Sequence, residues 1–300
     1  MRERAEIRLL PDGRRLYLHD GPIDVILEAF GTTSDIKSAY NAATHRFVSV
    51  LDELCGELST LRQPITADSR QPAGTVARRM ARAVAPYAAR TFITPMAAVA
   101  GAVAEEILAA MTGAAHLERA YVNDGGDIAL HLEPGQQFVI GLIDDRPDRA
   151  SLFGTAVLEA SEPVRGIATS GWRGRSFSLG IADAVTVLAD QAAMADAAAT
   201  IIANAVDLPE HPNVFRVRAR DVAPDNDLGD HLVTQGVGDL TAQEIGTALD
   251  GGETRARTLL TEGLIRAAAL HLRGQTRIVG FPLHSNTLGN HAGDRSLVHA

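Results

Sequence analysis

Asp196 and Thr200 stand four residues apart in the small-residue stretch Ala195-Asp196-Ala197-Ala198-Ala199-Thr200. A helix there projects a carboxylate and a hydroxyl from one face. Two oxygens so placed suit a hard cation. Magnesium, which takes few protein ligands and completes its shell with water and phosphate, is the natural candidate. A structural reading stands beside this one: a mid-helix threonine can bond back to the carbonyl one turn earlier. Asp196, set among alanines, needs a cation, a donor or solvent, because burying a lone carboxylate is costly.

Upstream, Val122-Asn123-Asp124-Gly125-Gly126-Asp127-Ile128 places a glycine turn between polar side chains and opens into an apolar strand. Such a turn is either hairpin chemistry alone or a pocket wall. In the second case Asn123, Asp124 and Asp127 orient a ligand whose polar part approaches the backbone at Gly125 and Gly126. A third element is Thr169-Ser170-Gly171-Trp172-Arg173-Gly174-Arg175. Its hydroxyls and the guanidinium forks of Arg173 and Arg175 suit phosphate, or it is a glycine-rich surface loop. Trp172, the single tryptophan, either stacks on a planar ring or fills a core. The ten histidines form no HxxxH or HxxE pair, so neither a zinc site nor a Ser-His-Asp constellation is read. Jointly the three elements describe a pocket for a phosphorylated ligand with its metal.

The elements that must position these residues follow from periodicity and turn chemistry. Residues 5–31 read as two or three strands, with 23–30 apolar enough to be buried on both faces. Residues 34–61 keep apolar side chains at steps of three and four and read as one long helix. A shorter helix follows at 75–85. Thr94-Pro95 signals a helix start, running to Met111 with Gly113 as terminator. Strands are expected at 118–123, 127–132, 137–143, 165–169 and 184–188, an antiparallel run rather than repeated βαβ units. Asp190 is placed as the cap of the helix carrying Asp196 and Thr200. Beyond Pro209 come a short strand at 214–217 and a capping box at Thr241-Ala242-Gln243-Glu244. A helix break at Gly251-Gly252, a helix at 254–272 and a strand at 276–281 complete the reading.

A chain of 300 residues can bury one large core or two smaller ones. Its net charge of -9 speaks against a nucleic-acid binder. Arg78, Arg79 and Arg82 share one short helix, as a solvated face or an anion patch. The lone Cys55 excludes an internal disulfide and any cysteine-based zinc cluster, and is expected as a buried core thiol. No apolar run of signal-peptide length opens the chain. The runs such as 96–104 are too short to span a bilayer, so a cytoplasmic protein with no membrane partner is expected.

At these residues the chain resembles the ApbE-like superfamily, whose best-known members are magnesium-dependent transferases moving FMN from FAD onto a protein threonine. Residues 123–128 are similar to its Asn-x-Gly-Gly-Asp-Ile motif, and Thr169-Ser170-Gly171 to its Thr-Ser-Gly strand end. Val185-Thr186-Val187 followed by residues 195–200 resembles its Val-Thr-Val strand and Ala-Asp-Ala-x-x-Thr metal helix. The resemblance covers about residues 20–206. It implies magnesium at Asp196 and Thr200, and a flavin nucleotide pocket lined by the 123–127 turn. Two departures stand out. The transferases' Lys-Gly pair is replaced by Val-Ala-Gly-Ala-Val-Ala-Glu-Glu at 99–106, and their His-Ile-x-Asp-Pro segment is missing or shortened before Val185. The whole pattern, with its additional C-terminal helices, resembles a cytosolic branch of the superfamily. That branch occurs in methanogens and in methylotrophs using tetrahydromethanopterin.

The resulting expectation is an α/β (α+β) protein with an ApbE-like core over 1–206. A C-terminal extension over 207–282 packs on it, and 283–300 forms a flexible tail. Its expected role lies in cofactor metabolism, holding a flavin- or pterin-type ligand with magnesium, in tetrahydromethanopterin biosynthesis or one-carbon metabolism. An FAD:protein FMN transferase and a non-catalytic partner-binding protein are the alternatives. Homo-oligomerisation stays open, and no catalytic residue is assigned.

Overall fold

The computed structural model describes residues 5–66, 68–146, 149–280 and 297–299. Three strands open the chain, β1 (Glu6–Leu9), β2 (Leu16–Asp20) and β3 (Ile23–Phe30), followed by helix α1 (Thr33–Leu61). Thr32 caps α1 by accepting from the Asp35 N–H. Ala39, Ala43, Phe47, Val50, Leu54 and Leu61 form its buried stripe. Helix α2 (Thr75–Val84), a 3-10 turn (Pro95–Ala98) and α3 (Val99–Ala114) come next. The Thr94 hydroxyl accepts from Met96 N–H at the start of the 3-10 turn, with proline at its first position.

Strands β4 (Arg119–Asp124), β5 (Asp127–Leu132), β6 (Gln137–Arg146), β7 (Arg149–Glu159), β8 (Gly166–Ser170) and β9 (Ala184–Ala189) precede helix α4 (Ala192–Ala205). The rest comprises β10 (Val214–Arg218), α5 (Ala219–Val222), β11 (Leu232–Val237), α6 (Ala242–Thr261), β12 (Ala267–Leu272), β13 (Gln275–Gly280) and β14 (Leu297–His299). The fold is α+β. Among the described strand pairs only β14 with β6 is parallel, as the run of strands with little intervening helix predicts.

The chain divides into two compact units. The first holds Met1–Phe138, Val157–Ile167 and Asp190–Met194. Within it the strand order is β1-β2-β3-β4-β5, with the first two residues of β8 paired antiparallel to β5. Helices α1, α2 and α3 pack together, and α3 covers β4 and β5. The second unit holds Val139–Ala156, Ala168–Ala189 and Ala195–Ala300. Here the order is β8-β9-β12-β13, with α6 packed on β12 and β13. All of 207–282 falls in this unit, together with β9 and most of α4. The call of a flexible tail lies outside the described residues except at β14, which is strand.

Several elements differ from expectation. Gly251-Gly252 does not break a helix: α6 runs through both, and 267–272 is a strand buried along its whole length. The reason is packing. A Cβ at Gly252 would lie 2.3 Å from Val206 Cγ2 and 2.6 Å from Leu270 Cδ2, so the glycines admit close contact rather than a bend. Gly113 likewise lies inside α3, which ends at Ala114. Strand β3 is not buried on both faces; Asp24 and Ile26 remain half-exposed between buried neighbours. Cys55 is exposed, because its neighbour Leu54 occupies the buried stripe and the next helical position points away from it. The helical stretch that contains 96–104 continues past Glu105 and Glu106 to Ala114. At 20 residues Pro95–Ala114 is long and apolar enough to cross a membrane, although a little under half of it is buried within the protein.

Two outcomes follow from this packing and charge. Gly252→Ala should lower stability by about 1–3 kcal/mol through overpacking against Val206 and Leu270, read from denaturant unfolding. Glu244 completes the capping box of α6 and accepts from His211 Nε2 at 2.9 Å. That hydrogen bond and those from Thr241 hold its carboxyl at about 2. A depressed carboxyl stabilises the fold above its unfolded value and loses that contribution as pH falls toward the folded one. Glu244→Gln should therefore flatten the stability profile between about pH 4.5 and 2, measured by urea titration across that range.

Candidate functional site

The glycine turn is the hairpin between β4 and β5, with Asp124 opposite Asp127. Gly125 and Gly126 carry φ of 64° and 111°, a backbone that L side chains rarely adopt. Asn123 Oδ1 accepts from the Gly126 N–H at 2.8 Å and closes the turn. Asp124, 4% exposed, accepts from the Asp24 N–H of β3 at 3.3 Å. Asp127 is also buried, while Asn123 is half-exposed. The turn is therefore self-supporting within the first unit, and its polar side chains help to build it.

The remaining predicted residues belong to the second unit, apart from the start of α4. On α4, Ala195, Ala197, Ala198 and Ala199 are fully buried. Asp196, Thr200 and Asn204, at four-residue spacing, form its half-exposed stripe. The carboxylate and hydroxyl therefore share one accessible face. Among the described residues no three His, Cys, Asp or Glu side chains gather as a metal-binding group.

Thr169 and Ser170 end β8, both half-exposed. Thr169 Oγ1 lies 2.9 Å from the buried Thr186 Oγ1 of β9, tying the Thr-Ser-Gly strand end to the Val-Thr-Val strand. The loop after Gly171 is organised by Asp183, which sequence reasoning did not single out. Its Oδ1 accepts from Trp172 Nε1 at 3.1 Å and from Arg173 Nε at 2.9 Å. Its Oδ2 accepts from the Arg273 N–H at 2.7 Å. Burial alone would raise this carboxyl, but the donors of Arg273, Arg173 and Trp172 together hold it below the usual range. The guanidinium of Arg173 lies 4.5 Å over the Trp172 ring. Arg175 is exposed.

Helix α4 begins at Ala192, and its Ala193 N–H is met by Glu105 Oε1 of α3 at 2.8 Å. Nothing local in the sequence signals a cap supplied by another helix. Glu105 also pairs with Arg79 at 3.0 Å, and Arg79 reaches Glu106 at 3.2 Å. This answers the arginine cluster: Arg79 belongs to an internal ion-pair network with Arg46 and Glu53 rather than to an anion patch.

Two further features were not visible in the sequence. Glu28 of β3 is 5% exposed, and burial raises its carboxyl above the usual range. Tyr121 donates to it at 3.4 Å, with Arg14 3.4 Å away. An open cleft of about 220 Å³ in the first unit is lined by Arg79, Thr112, His131, Arg165 and Asp190 among others. Its arginines are engaged, Arg79 as above and Arg165 by the carbonyls of Ala160, Glu162 and Val164.

The family model described as AbpE bacteria matches residues 7–278, and the chain belongs to this family. A UPF0280 protein of Methanopyrus kandleri is 35% identical over 208 residues, 67% of this chain and 78% of that protein. A UPF0280 protein of Methanococcoides burtonii is 38% identical over 117 residues, 39% of this chain. The chain spans about half the length of the latter, 47%. A mutant of the flavin transferase ApbE from Vibrio cholerae aligns over 92% of this chain and 96% of its own. The TM-score of that alignment is 0.44 and the identity 12%. The family model and the UPF0280 relatives of methanogens bear out the resemblance to the ApbE-like superfamily and its methanogen branch.

Removing the Glu105 carboxylate leaves the Ala193 N–H at the helix start without its acceptor. Glu105→Ala should cost about 1–2 kcal/mol in chemical denaturation. Glu105→Gln, which keeps an acceptor oxygen, should recover part of it.

Proposed function

We propose that the protein is a flavin-transferase-like member of its family that holds a phosphorylated flavin- or pterin-type ligand together with magnesium. The observation that carries this reading is the face of α4. On a helix whose other central side chains are buried alanines, Asp196 and Thr200 stay accessible on one stripe, within a chain matched almost end to end by the family model. Two hard oxygens fit magnesium, which takes its remaining ligands from water and phosphate. Bound there, the ion would neutralise phosphate charge.

The chain's own residues have distinct tasks in this reading. Thr169 and Ser170 at the end of β8 offer hydroxyls, and Gly171 admits the close approach of the Asp183 backbone beside them. Arg173 and Arg175 supply cationic surface, and the preorganised turn of Asn123, Asp124, Gly125, Gly126 and Asp127 in the first unit is proposed separately as a ligand-orienting element. The methanogen relatives support a place in one-carbon cofactor metabolism, with tetrahydromethanopterin biosynthesis as the specific proposal. Cytoplasmic location belongs to the same proposal.

Calorimetric titration with FMN in the presence and absence of magnesium tests the assignment. Magnesium should strengthen binding to the wild type, and Asp196→Ala should abolish that increment. A magnesium increment that persists in Asp196→Ala would sink the metal site.

A further inference from the structure

Arg173 was expected to meet phosphate with its guanidinium fork. Its geometry indicates another use. The Nε edge of the fork is directed at Asp183 Oδ1, and the guanidinium plane covers the indole of Trp172 at 4.5 Å. The same carboxylate oxygen receives the indole N–H. One buried carboxylate thus fixes both members of a stacked pair, and its other oxygen is anchored to the β12–β13 turn through Arg273 N–H. The Asp183 side chain is only 5% exposed, whereas that of Arg173 remains 27% exposed. The loop is tied down further where Trp172 N–H donates to the Ala182 carbonyl at 3.0 Å. Arg173 therefore presents a flat, rigid, cationic surface beside the Thr169-Ser170-Gly171 strand end.

We propose that the Trp172–Arg173 pair is the stacking plate for the ring of a flat heteroaromatic ligand, and that Asp183 is the positioning residue holding it in place. Guanidinium groups stack on aromatic faces, and a guanidinium backed by an indole is preorganised to do so. A carboxylate that accepts from both groups fixes the plate before any ligand arrives, which lowers the ordering cost of binding. This assignment rests on the flavin-type reading above and names which part of the ligand the loop recognises: the ring, not the phosphate.

Riboflavin and FMN, which share the ring and differ by the phosphate, separate the two roles. Arg173→Lys keeps the charge and loses the plane. It should weaken riboflavin and FMN by the same factor, about tenfold, and Asp183→Asn should weaken both similarly. A loss confined to FMN would mean a phosphate contact and overturn the proposal, as would unchanged affinity for both. The ligand-free protein gives an independent reading, because Trp172 is the only tryptophan. Asp183→Asn should shift its emission to the red and speed acrylamide quenching while far-ultraviolet circular dichroism stays unchanged. Unaltered emission and quenching would overturn the positioning role. Should Asp183→Asn fail to fold, Trp172→Phe removes the indole N–H together with part of the ring under Arg173, and should likewise weaken riboflavin and FMN by the same factor. If the wild type binds neither riboflavin nor FMN, the flavin reading fails, and the fluorescence of the ligand-free protein still decides whether Asp183 positions the pair.

Discussion

Helix α4 can be seated only because almost nothing protrudes where it begins. A Cβ on Gly101 would lie 2.4 Å from the Ala192 carbonyl oxygen, and one on Gly166 would lie 2.2 Å from the Ala192 nitrogen. Both contacts are with backbone, which cannot rotate aside as a side chain can. The helix start is thus held between α3 and β8 at backbone contact distance. The alanine run that follows, buried at Ala195, Ala197, Ala198 and Ala199, extends the same close approach. Asp196 and Thr200 inherit their position from this constraint: on a helix packed so tightly, polar side chains survive only on the stripe that remains accessible.

That constraint explains which parts of the molecule can be read along the chain. Helix α1, the Thr94-Pro95 start and the Thr241 capping box depend on residues within one or two turns, and their patterns appear directly in the sequence. The hairpin at Gly125-Gly126 is equally local, since positive φ at both positions is a property of glycine itself. Gly251-Gly252 resembles a break by the same local logic, yet the partners that explain it, Val206 and Leu270, are supplied by other elements. Nothing near α4 in the sequence signals that Glu105, 88 residues away, reaches the Ala193 N–H.

The site shows the same split. Asp196 with Thr200, and Thr169-Ser170-Gly171, are contiguous motifs whose placement at helix face and strand end was legible. Asp183 was not, although it organises the loop beside them. Its three donors come from positions 172, 173 and 273, and no periodicity links these to an aspartate just before β9. Cys55 errs in the other direction. A heptad-like context suggested burial, but one step along a helix is about 100°, enough to carry the thiol off the stripe that Leu54 occupies.

The polar groups named above differ in exposure and in where their partners lie. Thr186, Asp183, Glu105 and Asn123 have their acceptors or donors satisfied by other parts of the chain at 2.7–3.1 Å. They fix backbone and loop geometry and cannot change without loss of structure. Asp196, Thr200 and Ser170 stand half-exposed on elements already fixed by packing. The stretch 99–106 carries Gly101 against the start of α4 and Glu105 on the Ala193 N–H, so it serves as structural support for the helix that bears Asp196 and Thr200.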